Sequence, residues 1–465
     1  MKTFTGLLAK RHILDPIHGP IPITHLENEV ISTPVFQRLR NITQLSLTSL
    51  IFPGATHNRF QHSIGTLFVM DKLLYNLKVA EKLPYSLEKL QKIIQIMRLC
   101  ALLHDCGHLP FSHTFENRIG EKKHEFFGKC IIERSNIREI LSNNGYDPET
   151  IGAMVNEEIN LKDPYSRELL ELSPLLHSDA DADRMDYLLR DAYFTGVPYG
   201  KFDINRICNF VNLESNKICF FEKAQEALED FLFSRFQMYK IVYIHKTAIG
   251  YELLLHKLYK YIEKYSSDNE ITFFLPKTKD FKEGTQEWFN ETLYNLSEAE
   301  FFRTIRFLIN SDMIQDKDKD EISKLYTCIT NRIPIKNCYR KDDLVEISKT
   351  EYCEKEASFF AELEKNYSSI INHWSFLRHD PSNPLRITSP IDKDFDDLQD
   401  PSQIRILKKK SSGIYEIKLL QNLTNSVIKS LARHHRVLIC YYHGDKESQE
   451  TIAKLANTLI GTSSV

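Results

Sequence analysis

The run His104-Asp105-Cys106-Gly107-His108 sets two imidazoles and a carboxylate within five residues, and His113 follows just beyond Pro110. Imidazole and carboxylate are the usual protein ligands for hard-to-borderline divalent metals. On a helix His104 and His108 face the same side, one turn apart. The stretch before them, Leu99-Cys100-Ala101-Leu102-Leu103, is apolar. Capped core histidines would not explain so many titratable groups at the end of one apolar helix, because buried charge is costly unless paired or bound to metal. A metal site is the expected chemistry.

Two other segments carry groups of the same kind. His62 stands in His57-Asn58-Arg59-Phe60-Gln61-His62-Ser63, where a lone histidine is weak evidence by itself. Between Asp179 and Asp191 lie five aspartates in thirteen residues, Asp179, Asp181, Asp183, Asp186 and Asp191, in a stretch with helical apolar spacing. They cannot all be buried unpaired. At that spacing Asp183, Tyr187 and Asp191 share one helix face. A solvated acidic face paired with Arg184 and Arg190 fits the bare pattern equally well. Spacing alone does not bring these segments together in space.

The elements that must position these groups are mainly helical. The chain has 465 residues, 42% apolar and 26% charged, with a formal charge of −3, which is ordinary for a globular protein and favours no polyanionic partner. Any nucleotide site must come from local clusters of Lys and Arg. No apolar run is long enough to span a bilayer, so no membrane partner is expected. The first eleven residues are too short and too charged for a secretory signal. Nine unpaired-looking cysteines suit a reducing compartment, and the expected localisation is cytoplasmic.

Residues 11 to 31 read as a short hairpin or extended arm, Thr33-Pro34 as a helix start, and Pro53-Gly54-Ala55 as a turn. A helix then opens at 57 and runs to Leu77. Segments near 84–105, 113–135, 147–159, 165–195, 203–212 and 224–265 have helical periodicity, so residues 1–265 read as one domain. A helical extension follows over 266–370, with helices at Leu296 to Ile309 and Ile322 to Ile329 and a charged, solvated stretch at Asp312 to Asp320. Residues 371–465 read as a small α+β unit. An acidic loop holds Pro381, Pro384, Pro390 and Pro401. Strands at Ile404–Leu407 and Tyr415–Leu420 flank a polar turn at Lys408 to Gly413, resembling a hairpin. A helix over Leu423 to Ala432, a strand over Arg436 to Tyr442 and a helix over Glu447 to Leu459 complete it.

Taken together, these blocks resemble the HD-domain phosphohydrolases, and within them the deoxynucleoside triphosphate triphosphohydrolase branch. The resemblance is carried by Asp15-Pro16-Ile17-His18-Gly19, Phe36-Gln37-Arg38-Leu39-Arg40, the His57 to Ser63 block, His104 to His108, Pro110-Phe111-Ser112-His113 and Asp181 to Tyr187. It extends to about residue 250. It implies a helical HD-domain bundle in which His62, His104, Asp105 and Asp183 hold one divalent ion, Mn, Fe, Mg or Zn. It further implies hydrolysis of dNTPs to deoxynucleoside and inorganic triphosphate. His108, His113 and His124 fall on the branch's catalytic histidines. His113 is the implied acid for the leaving 5′-oxygen, with Glu116 and His124 behind it. Arg59, Arg184 and Arg235 match the triphosphate-binding cations, Tyr187 the bulk against a ribose 2′-hydroxyl, Gln44 and Asp191 the 3′-hydroxyl contacts, and Tyr243 a sugar or base contact.

An activator site between subunits is implied at Gln37, Arg40, Lys223, His245 and Lys246, in a homo-oligomer, dimer or tetramer. Departures bear on that site. Ser32 replaces the aspartate that reads an activating guanine, Leu14 a polar neighbour and Phe221 an arginine, so guanine-specific activation is not expected, and the site leaves room for a different nucleotide. Ile244 replaces a glutamine beside the base. Two other readings keep to the same residues: an HD-type hydrolase of another phosphoester, or a nucleotide sensor without turnover.

Overall fold

The computed structural model describes residues 2–116, 123–266, 273–335, 337–344, 349–371, 376–379, 400–410, 414–423, 425–426, 435–442 and 446–461. It is mainly α-helical and separates into two units. The first comprises Met1–Met238, Leu275–Glu298 and Ile391–Lys429; the second comprises Tyr239–Phe274, Ala299–Pro390 and Ser430–Val465.

In the first unit the expected hairpin forms from β1 (Ala9–Asp15) and β2 (Gly19–Thr24), antiparallel, but a helix α1 (His25–Ile31) follows directly. Its start is a capping box. The Thr24 hydroxyl accepts the Glu27 amide, and the Glu27 carboxylate accepts the Thr24 amide. Thr33 caps the turn Pro34–Gln37 as its sequence predicts. The long helix α2 (Arg59–Val79) begins at a second capping box, Asn58 with Gln61. Phe60, Ile64, Leu67, Met70, Leu73, Leu74 and Leu77 bury it on nearly all sides, as expected of a central helix. It packs between α3 (Leu87–Leu103) and α6 (Ala182–Thr195), while α4 (His124–Arg134) packs on α5 (Pro148–Val155).

Two expected helices are interrupted. In 113–135 a tight turn, Ser112–Phe115, and the extended Lys123 come before α4, and residues 117–122 lie outside the described residues. In 165–195 the helix Ser166–Leu172 stops at Ser173-Pro174, and α6 restarts where Asp181 caps it by accepting the Arg184 amide at 2.8 Å. Gly196, at φ 74, closes α6 with the left-handed residue that commonly ends helices.

A hairpin not read from the sequence, β3 (Val211–Glu214) with β4 (Lys217–Phe221), turns at Ser215-Asn216. Both turn residues are left-handed, the conformation of a type I′ turn. After it in the chain comes α7 (Gln225–Met238). The hairpin expected in the tail forms from Arg405–Lys409 and Tyr415–Leu419, and its first strand pairs parallel to β4, giving a four-stranded sheet.

The helical reading of 224–265 continues into the second unit with a π-helical turn at Tyr239–Tyr243 and a separate helix Lys246–Lys264, whose cap is His245. The helices Glu298–Asn310, whose first residue belongs to the first unit, and Asp316–Thr330 are present, the latter starting inside the stretch read as solvated. Strand His435–Tyr442 lies between Asn337–Leu344 and Phe376–His379. Tyr339, Phe359, Leu363, Ile452, Ala456 and Ile460 form the core beside it, with the closing helix at Lys446–Leu459. The strands expected within 371–465 therefore fall in two sheets, each completed by strands from earlier in the chain. The prolines Pro381, Pro384 and Pro390, the turn residues 411–413 and most of the expected 423–432 helix lie outside the described residues. No helix among the described residues is long and apolar enough to cross a membrane.

One buried ion network ties the amino-terminal arm to the bundle. Arg98 on α3 meets both oxygens of Glu27, at 2.7 and 2.9 Å, and Asp71 on α2 at 2.9 Å. Asp71 also accepts the Phe4 amide and the Thr5 hydroxyl. Although burial opposes its charge, Arg98 holds the Glu27 carboxyl below its usual range. Removing one partner strands charge in the core, so Arg98→Ala should cost about 3–5 kcal/mol in urea unfolding. The Glu27 contribution should be full above its ordinary pKa of 4.5 and disappear as the pH falls below it, read as a steep acid loss of stability.

Candidate active site

Four side chains from three helices close on one point in the first unit. His62 comes from α2, His104 and Asp105 from the end of α3, and Asp183 from the first turn of α6. His62 Nε2 lies 2.9 Å from Asp183 Oδ1, 3.2 Å from His104 Nε2 and 3.5 Å from Asp105 Oδ2. His104 Nε2 lies 3.4 Å from Asp105 Oδ1 and 3.6 Å from Asp183 Oδ1. Ligand atoms about 2.1 Å from one ion stand about 3.0–3.4 Å apart, so His62, His104 and Asp183 are spaced for a single divalent cation, with Asp105 bordering both histidines.

The tautomers fit as well. His62 Nδ1 is 2.8 Å from Asp186 Oδ2, and His104 Nδ1 is 2.8 Å from the Ala101 carbonyl. With both Nδ1–H groups committed to acceptors, both Nε2 lone pairs face the same point. Burial disfavours charge on His62, but hydrogen bonds to Asp183 and Asp186 and the nearby Asp105 outweigh it and push the ring up to about 10. The site calls for positive charge.

Asp186 belongs to a wider support that sequence reasoning did not single out. Its carboxylate also meets Arg190 twice at 2.9 Å and His18 Nε2 at 2.7 Å, and Arg190 reaches Asp15 at 2.8 Å. Gly65 on α2 makes this approach feasible: a Cβ there would lie 1.9 Å from Asp186 Oδ1. The Asp-to-Arg spacing of four residues on α6 was the available signal.

A second cluster adjoins the first. Glu116 Oε1 is 2.7 Å from His124 Nδ1, and Oε2 is 2.9 Å from His113 Nδ1. His108 stacks on His124 with centroids 3.8 Å apart and meets His113 edge-on at 4.7 Å. Asp105 Oδ1 joins the clusters, 3.2 Å from His108 Nε2 and 3.9 Å from His124 Nε2. His108 is buried, and burial, Arg59 and His124 hold it well below the usual histidine range. Glu116 is held far below the carboxylate range, its burial outweighed by His113, His124 and His108. His113 is the exposed member, with 63% of its side chain open to solvent. Gly107 brings α4 close, since a Cβ there would lie 1.9 Å from the His124 carbonyl oxygen.

The three arginines implied for phosphate each carry a carboxylate partner. Arg59 donates to Asp105 Oδ2 at 2.6 Å and to the Ser112 hydroxyl at 2.9 Å. Arg184 pairs with Asp181, and Arg235 meets Asp179 at 3.1 Å. Burial raises Asp181 to about 7 and also raises Asp179. The five aspartates therefore do not form a solvated face: Asp179, Asp181, Asp186 and Asp191 are buried and partnered, and Asp183 is in the metal set. Tyr187 stands edge-on to His62, with centroids 6.3 Å apart. Asp191 accepts from His57 Nε2 at 2.7 Å, and His57 stacks on Phe194. Gln44 is buried, its amide bound to the His57 carbonyl and its Oε1 without a hydrogen bond.

Of the residues implied for an activator, Gln37 accepts from Arg40 Nε at 2.8 Å, and Arg40 lies 3.6 Å over the Phe60 ring. The Lys223 carbonyl accepts from Arg206. Tyr243, His245 and Lys246 belong to the second unit. Arg38, another residue not singled out, is buried and donates to the His108 carbonyl at 2.7 Å and to that of Cys106, fixing the loop between the clusters. Burial lowers it to about 10.

A helical bundle closing two histidines and two aspartates on one point beside a histidine–glutamate cluster defines an HD-type centre. The HD domain model matches residues 59–191, which supports an assignment to the HD-domain phosphohydrolase superfamily. An uncharacterized protein of Methanocaldococcus jannaschii is 38% identical over 240 residues, 51% of this chain and 46% of its own. The deoxynucleoside triphosphate triphosphohydrolase SAMHD1 of Gallus gallus is 32% identical over 276 residues, 53% of this chain and 44% of its own. The chain thus spans about half the length of either relative. A phosphohydrolase crystal structure from Bacteroides thetaiotaomicron has this fold, with TM-score 0.70 over 93% of this chain and 100% of that one, at 24% identity.

Asp186→Asn should weaken divalent metal binding by about 10–100-fold, by loosening the His62 ring, while the fold persists. Metal content after dialysis against graded chelator measures it, and unchanged retention would contradict the role given to Asp186.

Proposed function

We propose that this protein is a metal-dependent dNTP triphosphohydrolase, releasing deoxynucleoside and inorganic triphosphate. The observation that carries the reading is the join at Asp105, which touches the metal set on one side and the histidine–glutamate cluster on the other, with Arg59 on its second oxygen. The naming of the Gallus gallus relative supports the substrate class.

His62, His104, Asp105 and Asp183 would hold the ion. When bound, such an ion polarises a phosphate oxygen and lowers the pKa of a water. Glu116 stays ionised and takes the Nδ1–H groups of His113 and His124. That leaves His113 Nε2, on the exposed ring, to deliver a proton to the departing 5′-oxygen as its bond to the α-phosphorus breaks. Arg59, Arg184 and Arg235 offer planar guanidinium edges suited to paired phosphate oxygens. Tyr187, beside the metal set, would bar a 2′-hydroxyl by bulk, and the unbonded Gln44 Oε1 with Asp191 would accept from the 3′-hydroxyl. A second nucleotide at Gln37, Arg40, Lys223, His245 and Lys246 of a homo-oligomer is part of the same proposal.

Incubation with each dNTP, singly and mixed, with manganese or magnesium should yield deoxynucleoside and triphosphate, and none with His104→Ala/Asp105→Ala. Turnover only in the mixture would assign an activator. Monophosphate as product, or hydrolysis of another phosphoester alone, would replace the dNTP reading. His113→Ala should lower kcat by about 10²–10⁴-fold with metal content unchanged.

A further inference from the structure

Glu298 lies 187 residues from Phe111 and 255 from Thr43, yet one of its carboxylate oxygens accepts from both. Oε1 takes the Thr43 amide at 2.9 Å, the Thr43 hydroxyl at 2.7 Å and the Phe111 amide at 3.0 Å. The two loops it joins carry the groups implied in substrate handling: Gln44 follows Thr43, and His113 follows Ser112.

The Phe111 loop needs holding. Phe111 and Ser112 have φ of 64° and 51°, a conformation that bulky residues rarely adopt and that persists only where its surroundings impose it. The Phe111 ring is wholly buried, so without Glu298 its amide would be left inside without this acceptor. From there the contacts continue to the metal set. The Ser112 hydroxyl donates to the Thr43 carbonyl at 2.6 Å and accepts from Arg59 Nε at 2.9 Å, and Arg59 holds Asp105.

We propose that Glu298 is a positioning residue, whose single carboxylate oxygen staples the Thr43 and Phe111 loops together and thereby sets His113 and Arg59 for phosphoester hydrolysis. The proposal rests on the phosphohydrolase reading of this site, and names a residue outside the HD segment on which it depends.

The three donors need an oxygen, not a charge, so Glu298→Gln can keep the staple and Glu298→Ala cannot. Both variants would be made in the full chain and assayed on the phosphoester that the wild type hydrolyses. Metal content, thermal midpoint and amide exchange over residues 42–44 and 110–113 would be followed in parallel. Glu298→Ala should lose about 10²-fold in kcat/KM, through kcat at His113 and through KM at Arg59, since a small misplacement of reacting groups costs that much. It should keep its metal, and exchange faster in both loops; Glu298→Gln should restore rate and protection. Wild-type kcat/KM in Glu298→Ala, equal loss in both variants, or loss of metal along with rate would each overturn the proposal. If the wild type hydrolyses no phosphoester, the functional reading falls separately, and exchange alone decides the staple: unchanged protection in Glu298→Ala refutes it.

Discussion

Two imidazole nitrogens and two carboxylates converge inside a buried cleft, and such a group cannot stay together without compensating positive charge. Desolvation makes each carboxylate expensive, and without an ion the balancing charge must come from protons on the histidines, as the raised His62 shows. The bundle answers by surrounding the point with support: Asp186 and Arg190 behind His62, Arg59 on Asp105, and the α3 carbonyl of Ala101 behind His104. The remaining demand is what a divalent ion satisfies. Most of the structure near the site follows from it. The amino-terminal hairpin contributes Asp15 to Arg190, and Arg38 spends its buried guanidinium on carbonyls of the loop that leads from Asp105 to His108.

The same constraint explains the glycines. Cluster geometry here is set by how closely backbones approach, not by side-chain reach alone. A methyl group at Gly65 would collide with Asp186, and one at Gly107 would collide with the backbone of α4 at His124. Each would push apart elements that supply ligands or acid-cluster residues. A glycine inside the long helix α2 carries a helix-propensity cost of about 1 kcal/mol, which the ion-pair support beyond it offsets.

Much of this was legible in the sequence, where local chemistry decides. Apolar periodicity gave α2 and α3, Thr33-Pro34 gave a capped turn, and the 404–420 alternation gave a hairpin. The grouping of His62, His104, Asp105 and Asp183 came from the family resemblance, not from their spacing, and these residues lie together in the structure. What was not legible depends on partners far along the chain. The five aspartates between 179 and 191 could not be told from a solvated face until Arg235, His57, His18 and His62 were brought to them from other elements. The 211–221 hairpin lay between two helical patterns and was hidden by its length, although Ser215-Asn216 is turn chemistry. Its parallel neighbour comes from residues 406–407, a pairing that no local pattern announces.

The carboxylate partners of the three arginines are more than ballast. Arg59, Arg184 and Arg235 sit in partly desolvated surroundings, where an unpaired guanidinium would be costly and would not hold one rotamer. Asp105, Asp181 and Asp179 fix each of them before any ligand arrives, so less ordering is left for binding. The cost falls on the aspartates: burial raises Asp179 and Asp181, so these are carboxylates kept charged mainly by the arginines they hold. An anion drawing on these guanidiniums, as proposed, would weaken the hold on those carboxylates, and through Arg59, which pairs with Asp105, its charge would be felt at the proposed metal set.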